Sequence, residues 1–184
     1  MVDFKGNCGN ISSAVGPYAI EQGLVPAIEP ITRVRIFNTN TQKIIIAEVE
    51  VENGRVKTEG MCSIPGVPGT GSPIYLSFTN ADGAVTGKLF PTGNEKDVIQ
   101  TPRGPIEVSI VDVANPLVFV NAKDVGLNGT ELPHEFTPEN LAELEEIRAA
   151  AAELCGFANK ETATKQSPAV PKMTLIAPHW ITSM

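Results

Sequence analysis

A chain of 184 residues that is 42% hydrophobic, 19% charged and 5% aromatic, with 16 glycines and 15 prolines, carries enough apolar surface to fold, and its glycines follow no collagen-like period. A net charge of −7, with a pI near 4.9 and no basic cluster, argues against a broad nucleic-acid footprint, though a locally positive pocket could still hold a small anion. No apolar run approaches the ~18–20 residues of a membrane span, no leader pattern opens the chain, and Cys8, Cys62 and Cys155 form neither a disulfide framework nor a CxxC knuckle, so a cytoplasmic setting is expected.

Residues 11–23 read as a helix rich in small side chains (Ser12, Ser13, Ala14, Gly16, Ala19), with almost nothing in front of it. Its apolar positions lie on all sides, which predicts a helix enclosed by other structure. Pro17 inside it predicts a kink or a shortened helix. From Thr32 the period changes to two. Arg33–Phe37 and Lys43–Val51 read as strands joined by the turn Asn38-Thr39-Asn40-Thr41, and Asn53-Gly54 signals a hairpin into 56–59. Pro73–Phe78 is a further strand, so residues 32–98 read as an antiparallel meander. Residues 105–112 alternate cleanly and 116–120 form a short buried strand. Thr137-Pro138-Glu139 starts a helix with a threonine cap and proline in the first turn. Leu141, Leu144, Ile147, Ala151 and Leu154 give it one apolar stripe, and Gly156 closes it. Residues 172–177 read as a last strand.

The strongest chemical signal is Gly6-Asn7-Cys8-Gly9-Asn10, immediately before the small-residue helix. Unpaired amides at a helix start create positive potential, which favours a bound carboxylate and an ionised thiol. A cysteine so placed can exchange protons with an anionic substrate, or it can be a buried structural residue in a tight turn. The run Gly66–Ser72 superficially follows a phosphate loop but lacks the lysine, so it reads as a loop. His134 and His179 are far apart, which gives a metal site little support, and no Gly-x-Ser-x-Gly elbow is present. Lys88 and Lys172 read as isolated solvated cations, and Asn115-Pro116 as a turn that could present an amide to a ligand.

Gly6–Pro17, Val34–Thr41, Gly66–Pro73, Gly87–Asn94 and Val111–Val120, taken in order, resemble the PrpF family of isomerases, which includes enzymes acting on 2-methylaconitate, methylitaconate and oxalomesaconate. The resemblance implies an α+β, diaminopimelate epimerase-like fold in which antiparallel sheets wrap central helices. It implies that residues 1–100 belong to a first half and 101–184 to a second. It also implies Cys8 as a catalytic residue, Asn7, Gly9 and Asn10 as substrate-binding neighbours, and Asn115 as a further cleft residue. The implied chemistry is cofactor-free and metal-free isomerisation of a small unsaturated di- or tricarboxylate by acid–base proton transfer.

Family members are about twice as long. The family's catalytic lysine and second central helix are therefore expected outside these 184 residues, and neither Lys5 nor Lys172 stands in the matching motif. An incomplete wrap is expected to be inactive alone and prone to self-association into homo-oligomers. A non-catalytic β-rich binding or scaffold domain that keeps the fold is the rival reading. An amino-acid isomerase pairing two cysteines is a third.

Overall fold

A computed structural model describes residues 7–178. Lys5 and His179 lie outside the described residues. The chain forms two compact units, Asn7–Asn80 and the chain from Ala81 onward.

The first unit opens with α1 (Gly9–Glu21), which starts two residues earlier than the apolar periodicity predicts and ends two earlier. The early start rests on Gly9 and Asn10, which carry no hydrophobic signal. The stop is a left-handed Gly23 (φ +65°): its N–H donates to Ile20 O at 3.0 Å, and Leu24 N–H donates to Ala19 O at 2.8 Å. The helix runs through Pro17 without interruption.

Four strands follow: β1 (Ile31–Asn38), β2 (Lys43–Glu52), β3 (Arg55–Val56) and β4 (Ile74–Phe78). All pair antiparallel to β2, with β1 along one edge in the register Val34 opposite Ala47, and β4 along the other with Leu76 opposite Ala47. Alternation buries Val34, Ile45, Ala47, Val49 and Val51, and α1 lays Ala19 and Ile20 onto this face. Only that side of α1 is covered among the described residues. Ile11 and Tyr18 are 71% and 62% exposed, so the expected enclosure is absent on the outer side.

The second unit holds β5 (Asp97–Thr101), β6 (Gly104–Val113), β7 (Asn115–Asn121) and β8 (Lys172–Ile176) in that spatial order. The meander expected over 32–98 is thus divided. Its strands up to Phe78 pair within the first unit, whereas β5, not named among the expected strands, pairs with β6, with Ile99 opposite Ile106. The β7–β8 pair is parallel, the one departure from antiparallel order among the described strands, because α2 (Pro138–Leu154) carries the chain back across the sheet before β8.

Thr137 caps α2 as expected: its Oγ accepts from Asn140 N–H at 3.2 Å, while its own N–H donates to Asn140 Oδ1 at 3.1 Å. Leu144, Ile147 and Ala151 face the sheet core of Ile106, Val108, Ile110, Val118 and Val120. Leu141 and Leu154, expected in the same stripe, are 55% and 46% exposed, while Ala149 and Ala152 on a neighbouring stripe pack with Ala163 of α3 (Ala163–Gln166). Both sheets are open. No helix among the described residues is long and apolar enough to cross a membrane.

Candidate active site

Cys8 is the N-cap of α1, in extended conformation (φ −111°, ψ 102°), and it is exposed. It is not a buried structural cysteine in a tight turn. Among the described residues no side chain caps the helix, and its first turn contains no acidic residue. The first intrahelical bond runs from Ser12 N–H to Cys8 O at 3.0 Å, so the N–H groups of Gly9, Asn10 and Ile11 have no acceptor within the helix. A thiol and the positive end of a helix dipole therefore share one exposed corner.

Asn7 precedes this corner and is half-buried. Its Oδ1 accepts from Asn38 Nδ2 at the end of β1. Ser12, buried on the first turn, donates its hydroxyl to Cys8 O at 2.8 Å and has a longer contact of 3.4 Å to Asn7 Oδ1. A hydroxyl has one proton, so the shorter bond holds it, and Asn38 is the main donor to Asn7. Asn38 is in turn fixed by its Oδ1, which accepts from the N–H groups of Asn40 at 2.9 Å and Thr41 at 3.2 Å. The first unit thus brings Asn7, Cys8, Gly9 and Asn10 together with one residue outside the expected site. Asn38 was legible only as part of a turn. The signal that pointed further was an asparagine at a strand end two residues before a backbone N–H, the pattern of an Asx turn.

Asn115 belongs to the second unit. It opens β7 after Ala114, whose positive φ of 60° makes the tight reversal that pairs Val113 with Asn115. Asn115 and Pro116 are thus strand residues, and the turn expected there lies one residue earlier, at Ala114. The Gly66–Ser72 run is an irregular loop closed where Cys62 and Gly71 exchange N–H···O bonds of 3.0 and 3.1 Å. Lys88 is exposed on a turn held from behind by buried Asp112, whose Oδ2 accepts from Val85 N–H, Thr86 N–H and Thr86 Oγ at 2.9, 2.7 and 2.8 Å. His134 is exposed on a short 3-10 turn. Among the described residues no three His, Cys, Asp or Glu side chains cluster as a metal site would require. Cys155, the C-cap of α2, contrasts with Cys8: burial first, then the negative charges of Asp112 and Asp97, push its thiol up to about 12.

The PrpF protein family model matches residues 1–181. A Bacillus subtilis protein, YraM, is 65% identical over 176 residues, which cover 96% of this chain and 48% of that protein. The 3-methylitaconate isomerase of Eubacterium barkeri is 52% identical over 179 residues, 96% of this chain and 47% of its own length. The crystal structure of a methylitaconate-delta-isomerase superposes with a TM-score of 0.81 at 52% identity, over 94% of this chain and 46% of that one. The chain spans about half the length of the curated relatives it matches. Its α+β architecture of open, mainly antiparallel sheets against helices is the diaminopimelate epimerase-like fold, and the chain belongs to the PrpF family.

Proposed function

We propose that the protein is an isomerase of small unsaturated di- or tricarboxylates, with Cys8 as one of its proton-handling groups. The observation that carries this is an exposed thiol at the N-terminus of α1, whose first turn holds no acidic residue, in a chain of the PrpF family. The named relatives support the substrate class: 3-methylitaconate isomerase, a 2-methyl-aconitate isomerase from Shewanella oneidensis and a 4-oxalomesaconate tautomerase from Pseudomonas putida.

The chemistry follows from charge. Removing a proton from a carbon allylic to the double bond leaves an electron pair that spreads through the alkene into a carboxylate, giving a dienolate. Returning a proton at the far carbon shifts the double bond, while returning it at the original carbon after rotation gives cis–trans exchange. One proton leaves and one arrives, and no electron leaves the substrate. The N–H groups of Gly9 and Asn10, with the side chains of Asn7 and Asn10, are proposed to hold the substrate carboxylate on which the dienolate gains charge. Donors of that kind stabilise a transition state more than a ground state. Cys8 serves as the acid or the base on the face it borders. Asn115 is proposed as a further substrate amide.

Turnover is proposed to need residues beyond the 184 of this chain, because misplacing catalytic groups by about 1 Å already costs ~10²-fold. The test is proton NMR in D2O with 3-methylitaconate, 2-methylaconitate and oxalomesaconate. It is run on this chain and on a polypeptide of the relatives' length that contains it. The expected result is isomerisation with deuterium at the allylic carbon in the longer polypeptide and little in the shorter. No turnover of any of the three substrates by either would contradict the proposal.

A further inference from the structure

Resting on the carboxylate-isomerase reading above, we infer that Lys43 supplies the cation that holds a second carboxylate of the substrate beside Cys8. The register of the sheet places it there. Alternate residues of β2 face α1: a Cβ on Gly16 of the helix would meet Ala47 and Val49, and Ile45 and then Lys43 continue that face toward the start of the strand. At this end Phe78 stands opposite Ile45, and a Cβ on Gly9 would lie 4.0 Å from Phe78 Cζ. Asn38, whose amide meets Asn7, stands opposite Lys43, and directly opposed residues share a face with Cβ atoms about 5 Å apart. Lys43 is therefore bracketed on its own face by a residue bonded to Asn7 and by a pair lying under Gly9.

The electrostatics of this corner fit an anion. Lys43 is half-buried and has no ion-pair partner among the described residues, whereas Arg33, Arg55 and Lys57 of the same unit meet Glu48, Glu21 and Glu50. No other α1-facing position of β1, β2 or β4 carries a charge, and the first turn of α1 holds no acid. A cation thus stands at the positive end of a helix dipole with no counter-charge from the described residues, an arrangement that a negative group relieves. In a chain of net charge −7 it also concentrates positive potential at one point, which an anion needs against the overall field. A substrate with two or three carboxylates needs more than one such partner. The helix-start amides meet one carboxylate as dipoles, and the Lys43 ammonium meets another as a point charge.

The first test needs no turnover. Iodoacetate and iodoacetamide each form a bond from the thiolate sulfur to carbon with loss of iodide, but only iodoacetate carries a carboxylate. In the 184-residue chain at low ionic strength, Lys43→Met should lower the iodoacetate rate at Cys8, relative to the iodoacetamide rate, by about threefold or more, the scale of one unit charge a few ångströms away in water. The same ratio at exposed Cys62, read by mass spectrometry in the same sample, should not change, and Lys43→Arg should keep the parent ratio at Cys8. An unchanged ratio at Cys8 in Lys43→Met, a ratio that falls equally at Cys62, or a Lys43→Arg that behaves as Lys43→Met would overturn the inference.

In the polypeptide that turns over, Lys43→Met should raise KM by about tenfold or more, as for a lost hydrogen bond between charged groups, with kcat changed much less and the unfolding midpoint retained. A wild-type KM in that variant would remove Lys43 from the substrate and leave the isomerase reading intact. Absence of turnover in every polypeptide would take down the isomerase reading, and the alkylation ratio would then decide the anion site by itself.

Discussion

A Cβ on Gly16 would stand 3.0 Å from Ala47 Cβ and 3.0 Å from Val49 Cγ2, so glycine lets α1 lie close on β2 and hold its N-terminus at a fixed height over the sheet. What the corner at that N-terminus does depends on one thiol being reachable. The three cysteines divide by environment: Cys8 and Cys62 are exposed, while Cys155 is partly buried with its thiol pushed up to about 12. Timed alkylation of the folded protein near pH 8, read by mass spectrometry, should label Cys8 and Cys62 and leave Cys155 until the protein is unfolded. Labelling of Cys155 as fast as Cys8 in the native state would refute this division. At this scale the sequence was most legible where glycines flanked the cysteine, since that pattern announces a helix start. It was least legible at Asn38, because a turn composition says nothing about which way a side-chain amide points.

At the scale of elements, α2 is anchored by a mostly buried guanidinium. Arg148 donates to Glu145 through Nε at 2.6 Å and Nη2 at 2.7 Å, and its Nη1 donates to Ser167 O at 2.8 Å. Ser167 in turn donates its hydroxyl to Val170 O at 2.7 Å, so the segment between α3 and β8 is tied back to the helix. Arg148→Leu should destabilise the second unit by about 2 kcal/mol in urea unfolding at neutral pH, the cost of removing the guanidinium's hydrogen bonds to the Ser167 carbonyl and the Glu145 carboxylate.

The hydrogen bonds from Arg148 hold the Glu145 carboxyl below its ordinary value. A lowered folded value means this stabilisation is complete above the unfolded pKa of about 4.3 and is lost as pH falls below that through the folded value. Glu145→Gln should therefore flatten the fall in stability below about pH 4.3, and an unchanged acid slope in that variant would contradict the assignment.

Thr137, Pro138 and Gly156 made α2 readable from sequence because each encodes a terminus directly. The parallel β7–β8 pair was not readable, since residues 172–176 alternate as they would beside either kind of partner. The stripe through Leu141 and Leu154 misled because periodicity locates an apolar face without saying how much of it a neighbour covers.

At the scale of the whole molecule, the apolar surface on both sides of α1 was legible in the sequence, but what covers the outer side was not. Ile11, Val15 and Tyr18 recur at helical spacing on that side and are exposed, an apolar stripe of the kind that promotes association. Sedimentation of the 184-residue chain should show species heavier than a monomer, reduced by Ile11→Glu together with Tyr18→Glu. A monomer at all concentrations would contradict that expectation. The family and its fold were legible because several motifs recur in order along the chain.

Proton transfer by Cys8 at the mouth of α1, proposed above, is tested most directly by the rate of solvent-deuterium incorporation into substrate by Cys8→Ala, measured beside the parent in the polypeptide that turns over. The expected result is a loss of at least about 10²-fold with an unchanged unfolding midpoint, the scale of a lost acid–base group. Incorporation at the parent rate would show that another residue handles the proton.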